Sequence, residues 1–494
     1  MANYVGIDLG TTFSSVAYID ESGRPQIVDN DRGENITPSC VAMIKGEMVV
    51  GEAARRHWGN AEEEAAARFK RDMGTSVSHK IVDQSFTPTE LSAAVLNKLK
   101  SDAETKIGPI TEAVVTIPAN FAQEARVATM EAAQMAGLNV KFIINEPTAA
   151  ALYYAYQSDG ELSGTYAVFD LGGGTFDVSV IRVSGQDVEV LASNGLSRLG
   201  GDDFDKALWD LVASKYREEF GSDLTKEDFP TNQAEAEKVS LSGRKRSTAE
   251  IERDLVDISR IEFEEAISSM MAQIEMMCET TLEEAEVTPS DISSVFLAGG
   301  STRIPAVVDC AKRVFRQDPV STVNVDEVVA LGAALYAAYK SDGAGLTDLQ
   351  KQSVSKLKVT EAANHCFGTI SVGYSESKGE ALQNSVIIRK GDKVPCEVTE
   401  SFYTRHDGQE AINCIITQST SPETNPKFVK NIWEGDLKLP PGRPANQEIQ
   451  ITYSYDESQM MHASFKDMES GKETSISLSM GAESNSTIDK FLVD

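Results

Sequence analysis

One strand-and-turn pattern occurs twice in the sequence, and this duplication constrains the fold more than any other feature. Residues 5–12 read VGIDLGTT and residues 168–175 read VFDLGGGT. Each copy places an apolar run before Asp, Leu and Gly, with Thr close behind. Glycine suits such turns because a Cβ would keep the backbone amides away from phosphate oxygens. The repeat predicts a duplicated α/β half in which two turns face each other across a cleft for a nucleotide.

The chain as a whole divides into an α/β part and a β part. Short β-branched runs alternate with helical patterns up to Tyr339, which is typical of α/β folds. Residues 341–355 are small and polar, as in a linker, and strand runs dominate after them. We therefore predict an α/β domain over residues 1–340, a linker over residues 341–359 and an all-β domain over residues 360–494.

The composition excludes several classes of function. Asp and Glu number 76 against 46 Lys and Arg, a net charge of −30, so binding to a nucleic-acid backbone is not expected. No apolar run of about 18 residues is present to cross a membrane, and no signal peptide is visible. The six cysteines are widely spaced without a CxxC pair, which indicates reduced thiols. These features predict a cytoplasmic protein without nucleic-acid or membrane partners.

The duplicated turns carry the residue types that a nucleotide phosphate site needs. Asp8 and Asp170 end the two apolar runs and could hold Mg²⁺ through its water shell, because Mg²⁺ takes few direct carboxylates. Thr11, Thr12 and Thr175 supply hydroxyl groups near the phosphates. A single turn of this kind more often has an ordinary structural role, whereas two copies in register favour phosphate binding.

Three further candidates are weaker on sequence grounds alone. Gly299 and Gly300 follow a strand run and precede a helical pattern, where Arg303 could stack on a purine. Lys70 and Glu146 are candidates to orient a γ-phosphate and the attacking water, since phosphoryl transfer depends mostly on positioning and charge. Neither role follows from spacing, and composition alone favours a solvated surface lysine at position 70.

The motifs taken together resemble those of the DnaK-type heat-shock chaperones. In the first part of the chain they occupy residues 6–12, 116–121, 144–151, 169–177, 199–205 and 299–305. Residues 388–395 and 463–467 are similar to landmarks of that family's substrate domain. The resemblance implies an α/β actin-like (duplicated ribonuclease-H-like) ATPase domain followed by an all-β sandwich domain. It also implies an ATPase that uses ATP/ADP, Mg²⁺ and K⁺ to control the binding of extended apolar polypeptide segments.

The resemblance also assigns roles to residues of this chain. It implies a catalytic set made of Lys70, Glu146, Thr175, Asp8 and Asp170. It implies nucleotide contacts from Gly10, Thr11, Thr12, Gly172, Gly173, Gly174, Gly200, Gly201, Glu235, Lys238, Ser242, Gly299, Gly300 and Arg303. Asp8, Asp170 and Asp177 would surround the metal ions, and Pro118 with Arg126 would relay the nucleotide state. Phe402, Ile412 and Cys414 would line the peptide pocket, although a plain role in the sandwich core is equally compatible with their strand positions.

Several departures from the family pattern indicate a specialised member. The chain is shorter between Lys70 and Pro118 than in typical members, as in the compact HscC-like branch. Residues 247–259 likewise form a shortened version of the subdomain that exchange factors often bind in this family. A standard exchange factor is therefore not expected. Phe142 replaces the family arginine that pairs with J-domain partners, and Lys358 stands in a linker that is normally apolar and acidic. These changes predict a non-standard J-domain partner, because they alter the charge of one docking surface.

The remaining expectations concern the lid, the oligomeric state and the alternative functions. Residues 488–494 fall where the family's helical lid begins, so a lidless chaperone with fast peptide release is expected. The family and the high like charge favour a monomer. One alternative is a nucleotide-gated binding platform or co-chaperone with little turnover. Another is a small-molecule kinase or filament former of the same superfamily.

Overall fold

A computed structural model describes residues 3–58, 61–158, 161–320, 324–343, 345–375, 379–457 and 459–477. These residues form two compact units. The first contains residues 3–121 and 128–359, and the second contains residues 122–127 and, among the described residues, 360–477. Residues 488–494, on which the expectation about a lid depends, lie outside the described residues.

The first unit is a mixture of strands and helices. Its strands are β1 (Asn3–Asp8), β2 (Phe13–Ile19), β3 (Pro25–Val28), β4 (Thr37–Pro38), β5 (Cys40–Ile44), β6 (Glu47–Val50), β7 (Ala65–Ala67), β8 (His79–Ile81), β9 (Gln84–Phe86), β10 (Ile110–Ile117), β11 (Val140–Asn145), β12 (Ser163–Leu171), β13 (Phe176–Ser184), β14 (Asp187–Leu196), β15 (Arg246–Ile251), β16 (Asp254–Ser259) and β17 (Ile292–Ala298). The helices of the chain are α1 (Glu52–Trp58), α2 (Pro88–Ile107), α3 (Gln123–Met135), α4 (Glu146–Gln157), α5 (Gly201–Phe220), α6 (Thr231–Gly243), α7 (Arg260–Ala266), α8 (Ser268–Glu284), α9 (Pro305–Phe315), α10 (Val328–Lys340) and α11 (Asp348–Val354).

The predicted duplication is visible in the two main sheets of this unit. In the first, β1, β2 and β3 form an antiparallel meander, and β10 and β11 extend it in parallel from β1. In the second, β12, β13 and β14 form the same meander, and β17 runs parallel to β12. Each sheet has its own apolar core. The two copies of the strand-and-turn pattern thus occupy equivalent places, at the ends of β1 and β12.

Two nearly buried helices, α4 and α10, pack closely because small residues line their contacts. A Cβ added at Gly332 in α10 would lie 1.7 Å from the carbonyl oxygen of Ala149 in α4. A Cβ added at Gly6 in β1 would lie 2.1 Å from the backbone nitrogen of Ala334. Such separations are far shorter than van der Waals contact. Only glycine at these positions therefore allows α10 to approach α4 and β1 so closely.

The segment that the sequence suggests as a linker carries local structure within the first unit. Helix α11 begins after Thr347, whose hydroxyl accepts a hydrogen bond from the Gln350 amide in a capping box. The Gln350 side chain is buried and donates to the carbonyl of Ile19 at 2.8 Å. Leu357 is also buried, and the Lys358 amide donates to the carbonyl of Gln186 at 3.1 Å.

The second unit is a sandwich of two antiparallel sheets. Its strands are β18 (Lys358–Ala362, of which the last three residues belong here), β19 (Cys366–Ser375), β20 (Gly379–Ile388), β21 (Lys393–Val394), β22 (Cys396–Tyr403), β23 (Ala411–Ser419), β24 (Lys430–Lys438), β25 (Glu448–Tyr455), β26 (Met461–Asp467) and β27 (Glu473–Ser477). One sheet has the order β20-β19-β23-β24 and the other β22-β25-β26-β27. Aromatic and aliphatic side chains from the inner faces fill the space between the two sheets.

Two further features bear on the sequence-based expectations. All six cysteines are unpaired, and five of them are buried. In the described ranges, no helix is both long enough and apolar enough to span a membrane.

Candidate active site

The two glycine-rich turns of the repeat meet face to face. A Cβ added at Gly173 would lie 1.8 Å from the hydroxyl oxygen of Thr12, and one added at Gly174 would lie 2.3 Å from the methyl group of Thr11. The first copy of the repeat therefore packs directly on the second, and glycine is required at both positions. The backbone amides of both turns are brought to one place, which suits a phosphate chain.

A cavity of about 420 Å³ opens between these turns. It is lined by most of the residues that the sequence predicted to contact nucleotide or metal: Asp8, Gly10, Thr11, Thr12, Lys70, Glu146, Asp170, Gly172, Gly173, Gly174, Thr175, Glu235, Lys238, Ser242, Gly299, Gly300 and Arg303. The fold thus gathers residues that are far apart in the chain into a single cleft.

Three of the predicted residues stand behind the wall of this cavity. A Cβ added at Gly200 would lie 2.6 Å from the carbonyl of Gly173, and one added at Gly201 would lie 2.5 Å from the Ser301 hydroxyl. These glycines allow the start of α5 to support the second turn. Asp177 is buried on β13, opposite Asp170 in the β12–β13 ladder.

Lys70 and Glu146 form a buried ion pair beside the phosphate turns. The Lys70 ammonium lies 2.6 Å from Oε1 of Glu146, and Lys70 is only 4% exposed. The interpretation of Lys70 as a solvated surface lysine is therefore wrong. Its short 3₁₀ turn, Phe69–Asp72, begins after Arg68 in the left-handed conformation, and Glu146 is the first residue of α4. Local backbone structure at both ends thus holds the two groups in place.

The carboxylates around this pair repel one another. Burial, followed by repulsion from Glu146, raises the pKa of Asp8 to about 7. The same two causes raise the pKa of Asp177 to about 8 and hold that of Asp170 well above its usual value. The Thr116 hydroxyl donates to Asp8 at 2.8 Å and only partly offsets this effect. A cation in this part of the cavity would favour the ionised forms, so the carboxylates fit a metal site.

The kind of metal site is also constrained. Across the described segments, no three His, Cys, Asp or Glu side chains converge as a set of direct ligands. Mg²⁺ does not need such a cage, because it keeps several waters and usually takes one or two carboxylates together with phosphate oxygens. Asp8 and Asp170 therefore fit a Mg²⁺ ion that arrives with a nucleotide.

Charged side chains also organise the part of the cavity that is lined by Glu235, Lys238 and Arg303. The Lys238 ammonium lies 2.7 Å from Asp205 and donates to the carbonyl of Gly201 at 3.1 Å. Burial raises the pKa of Asp205 to about 7, although Lys238 lowers it. Arg303 donates to Asp326 at 2.6 Å, which fixes its guanidinium at the edge of the cavity.

Sequence reasoning missed a set of ion pairs that cross the cleft. They join the chain around α1 and the Lys70 turn to α5, α6 and the loop before α5: Arg55–Glu235, Arg68–Asp202, Arg71–Asp203 and Arg198–Asp72. The Arg71 guanidinium also donates to the carbonyl of Gly173 at 3.3 Å. The available signals were the position of Arg71 next to Lys70 and the two aspartates of the GGDDFD motif, but neither signal identifies a partner.

The residues assigned to the relay and the peptide pocket do not line the nucleotide cavity. Pro118 follows β10 in the first unit, whereas Arg126 lies in the segment 122–127 that groups with the second. Phe402 is half-buried on β22, and Ile412 is half-buried on β23 in the other sheet. Cys414 is fully buried in the sandwich core, where burial raises the pKa of its thiol to about 12. Their roles remain predictions.

The fold and the site define an actin-like, nucleotide-binding ATPase unit that is followed by a β-sandwich. The family model described as Hsp70 protein matches residues 4–494. The "Chaperone protein DnaK" of Thermotoga neapolitana and that of Thermotoga petrophila are each 37% identical over 493 residues, covering 96% of this chain and 79% of the relative. The chain belongs to the Hsp70 family. The predicted fold class, the ATPase activity and the chaperone function are thereby confirmed, as is the use of ATP or ADP with Mg²⁺.

Proposed function

We propose that this Hsp70 chain hydrolyses ATP with Lys70 and Glu146 as its catalytic pair. The main observation that supports this proposal is the buried ion pair between Lys70 Nζ and Glu146 Oε1, 2.6 Å apart, beside the two glycine-rich turns. The nucleotide cycle would control how the second unit binds extended apolar polypeptide segments. The relatives do not favour the alternative of a platform with little turnover.

Each catalytic residue has a role that its position supports. Glu146 would accept a hydrogen bond from the attacking water, and Lys70 would neutralise charge on the γ-phosphate, since this chemistry depends on positioning and electrostatics. The Thr175 hydroxyl would hold a γ-phosphate oxygen from the second turn. Asp8 and Asp170 would hold Mg²⁺ through its waters; the ion supplies positive charge to the phosphate oxygens when it is bound. Asp177, together with Asp8 and Asp170, would surround the bound Mg²⁺ and K⁺.

Single-turnover ATP hydrolysis by variants tests the catalytic proposal. Lys70→Ala should lower the rate by about 100-fold, in the range of other lost electrostatic contacts in active sites. Glu146→Gln keeps the shape of the side chain and should lower the rate while ATP still binds. Lys80→Ala, at an exposed lysine of β8, is the matched control and should behave as wild type. Wild-type rates in Lys70→Ala would contradict the proposal.

The second unit offers two neighbouring features for peptide binding. Strand β23 pairs with β19 only over Cys366–Gly368 among the described residues, so the strands diverge beyond that point. Where the strands separate, a side-chain hydrogen bond replaces the backbone hydrogen bonds of the sheet: the Thr369 hydroxyl donates to the carbonyl of Ile415 at 2.8 Å. Ile412 lies half-buried on the diverging part of β23. We propose that the peptide pocket includes Ile412 and Phe402, and that Cys414 supports it from the core.

Partner docking is proposed to differ from that of typical relatives. The short β15–β16 hairpin supports a compact, HscC-like member that does not use a standard exchange factor. At the linker, Lys358 pairs with Asp187 at 3.1 Å, so its charge is partly offset. The Lys340 ammonium lies 5.2 Å from the Phe142 ring centre, which keeps a positive charge beside the position of the missing family arginine.

A J-domain partner therefore stays compatible with this surface. Lys340→Glu should abolish any acceleration of ATP hydrolysis by J-domain proteins, whereas Arg182→Glu, at an exposed arginine of β13, should leave it unchanged. Equal acceleration in both variants would contradict a docking role for Lys340. We further propose a monomeric protein of the cytosol, which is supported by the DnaK relatives, the free thiols and the net charge.

A further inference from the structure

A cleft of about 480 Å³ opens in the first unit beside the nucleotide cavity. Strand β3 and the end of α4 form two of its sides, and the start of α10 forms another. Among the described residues, the two spaces share no lining side chain, but neighbours in the chain line them: Asn35 and Glu327 line the cleft, whereas Ile36 and Asp326 line the nucleotide cavity. The same two stretches of backbone thus border both spaces.

Hydrogen bonds also connect the cleft with the nucleotide cavity. The side-chain amides of Asn35 and Asn324 both donate to Oε1 of Glu327, at 2.8 and 2.6 Å. The Arg303 guanidinium donates to the Asn324 side chain at 3.0 Å and to Asp326 at 2.6 Å. Arg303 and Asp326 line the nucleotide cavity, whereas Asn324 lines neither space. Asn324 is therefore a bridge between Glu327 in the cleft and Arg303 in the nucleotide cavity.

The lining of the cleft combines flat aromatic surface with amide groups. The rings of Tyr153 and Tyr156 are stacked, with 6.4 Å between their centres and 19° between their planes. Gln157 donates to the Tyr153 hydroxyl at 2.6 Å, and the Tyr156 hydroxyl donates to the Gly23 carbonyl at 3.2 Å, so both rings are held in place. Amide groups both donate and accept, and an aromatic ring offers a face to another planar ring. The amide side chains of the lining are Gln26, Asn35 and Gln157.

Charge narrows the choice of ligand further. The lining carries one acidic residue, Glu327, and one basic residue, Arg24. Both asparagine donors use Oε1 of Glu327, which leaves Oε2 to accept from a ligand. A single arginine beside a carboxylate, in a chain with a net charge of −30, disfavours a ligand with phosphate groups. An uncharged ring with N–H donors suits this lining better.

We propose that the cleft binds an uncharged nucleoside or free nucleobase whose ring edge carries neighbouring N–H donors, as that of guanine does. Glu327 accepts from those donors, and the amide side chains pair with the other polar atoms of the ring. A bound ring fixes Glu327, and through Asn324 it fixes Arg303, so occupancy of the cleft tightens ADP binding. This inference goes beyond the proposed catalytic pair, and ADP binding alone tests it.

The test for the site uses guanosine as the probe and the full chain saturated with ADP and Mg²⁺, so that the nucleotide cavity is occupied. Isothermal titration should show that guanosine binds. Glu327→Gln keeps the shape of the side chain but loses the charged acceptor, so it should weaken guanosine binding by about tenfold. Glu47→Gln, at an exposed glutamate of β6, is the matched control and should bind guanosine like wild type. An absence of binding, or equal affinity in the two variants, would overturn the site.

Displacement of a fluorescent ADP analogue tests the coupling between the two spaces. Saturating guanosine should tighten ADP binding by about fivefold, and ADP should tighten guanosine binding by the same factor, because coupling between two sites is reciprocal. Asn324→Ala should bring both factors close to one while guanosine still binds. Asn139→Ala, at an exposed asparagine before β11, should keep both factors.

Two results would contradict this coupling. Equal factors in Asn324→Ala and Asn139→Ala would overturn the role of Asn324 as the bridge. Competition between guanosine and ADP would place the probe in the nucleotide cavity and overturn the proposal as a whole. Either result would leave the proposed roles of Lys70 and Glu146 untouched, because no step of the test involves hydrolysis.

Discussion

Arg55 and Glu235 form an ion pair across the mouth of the nucleotide cavity. Arg55 comes from α1, and Glu235 comes from α6 and lines the cavity. The Arg55 guanidinium also lies 4.5 Å from the centre of the Phe13 ring, which fixes its position. The pair joins the two sides of the cleft beside the cavity, so we expect it to slow nucleotide release.

Removing this pair should speed the release of ADP. Both side chains are about one-fifth to one-quarter exposed, so Arg55→Ala should raise the release rate by only about two- to fivefold. Stopped-flow displacement of a fluorescent ADP analogue measures the rate. Arg56→Ala is the matched control, because Arg56 is mostly exposed and pairs with Glu52 in its own helix. Equal release rates in the two variants would contradict a role for the pair.

A methyl group at Gly173 should disrupt nucleotide binding. The added Cβ would lie 1.8 Å from the Thr12 hydroxyl oxygen, so Gly173→Ala must push the two phosphate turns apart. We expect ATP affinity to fall by at least about tenfold, since misplaced donors lose much of their stabilising effect. Isothermal titration with ATP and Mg²⁺ measures the change. Gly243→Ala, where nothing lies within 4 Å of the added Cβ, should bind ATP normally.

The packing of α10 on α4 should likewise not tolerate a larger side chain at Gly332. Gly332→Ala places a Cβ 1.7 Å from the Ala149 carbonyl oxygen, with backbone rather than a flexible side chain in the way. Overpacking of this kind costs about 1–3 kcal/mol or more. The thermal transition of the first unit should therefore shift downward or be lost, while that of the second unit stays in place. An unchanged first transition would show that the helices can separate without cost.

The stability of the second unit should depend on the Arg443–Asp467 pair in acid. Hydrogen bonding and attraction to Arg443 lower the pKa of the buried Asp467 carboxyl to about 2. A lowered pKa stabilises the fold above the carboxyl's usual value near 4, and this contribution is lost as the pH falls towards 2. Urea unfolding of wild type and Asp467→Asn should differ by about 3 kcal/mol or more at pH 7.

That difference should narrow steadily below pH 4, because protonation removes the same charge from the wild-type protein. Glu189→Gln is the control, since the Arg182–Glu189 pair is more exposed and lies on the first unit. A difference that stays constant between pH 7 and pH 2.5 would contradict the assigned role of the charge, and it would point to shape alone.

Much of the fold could be predicted because the repeat at Asp8 and Asp170 is local. Each copy carries its own turn glycines and its own apolar strand, so the duplication is readable without knowing any tertiary contact. The burial of Lys70 could not be predicted in this way. Its surroundings come from Glu146 and Phe121, which are distant in the chain, and a lysine on composition alone belongs at the surface.

The cross-cleft ion pairs and α11 were missed for different reasons. Arg55 and Glu235 are ordinary charged residues on half-buried helix positions, and nothing local in the sequence identifies their partners. Helix α11 did have a local signal, the Thr347–Gln350 capping box, but its small and polar neighbours are also typical of a linker. Contacts such as that of Gln350 with the carbonyl of Ile19 fix this helix, and they depend on the tertiary fold.

The central claim is that Lys70 and Glu146 drive an ATPase whose cycle is coupled to peptide binding. The most direct test is steady-state ATP hydrolysis with Mg²⁺ and K⁺, with and without an excess of an extended apolar peptide, and with Lys70→Ala as the blank. We predict that peptide accelerates wild-type turnover and that Lys70→Ala turns ATP over about 100-fold more slowly in both conditions. A turnover rate that does not change when peptide is added, or a wild-type rate in Lys70→Ala, would contradict the account.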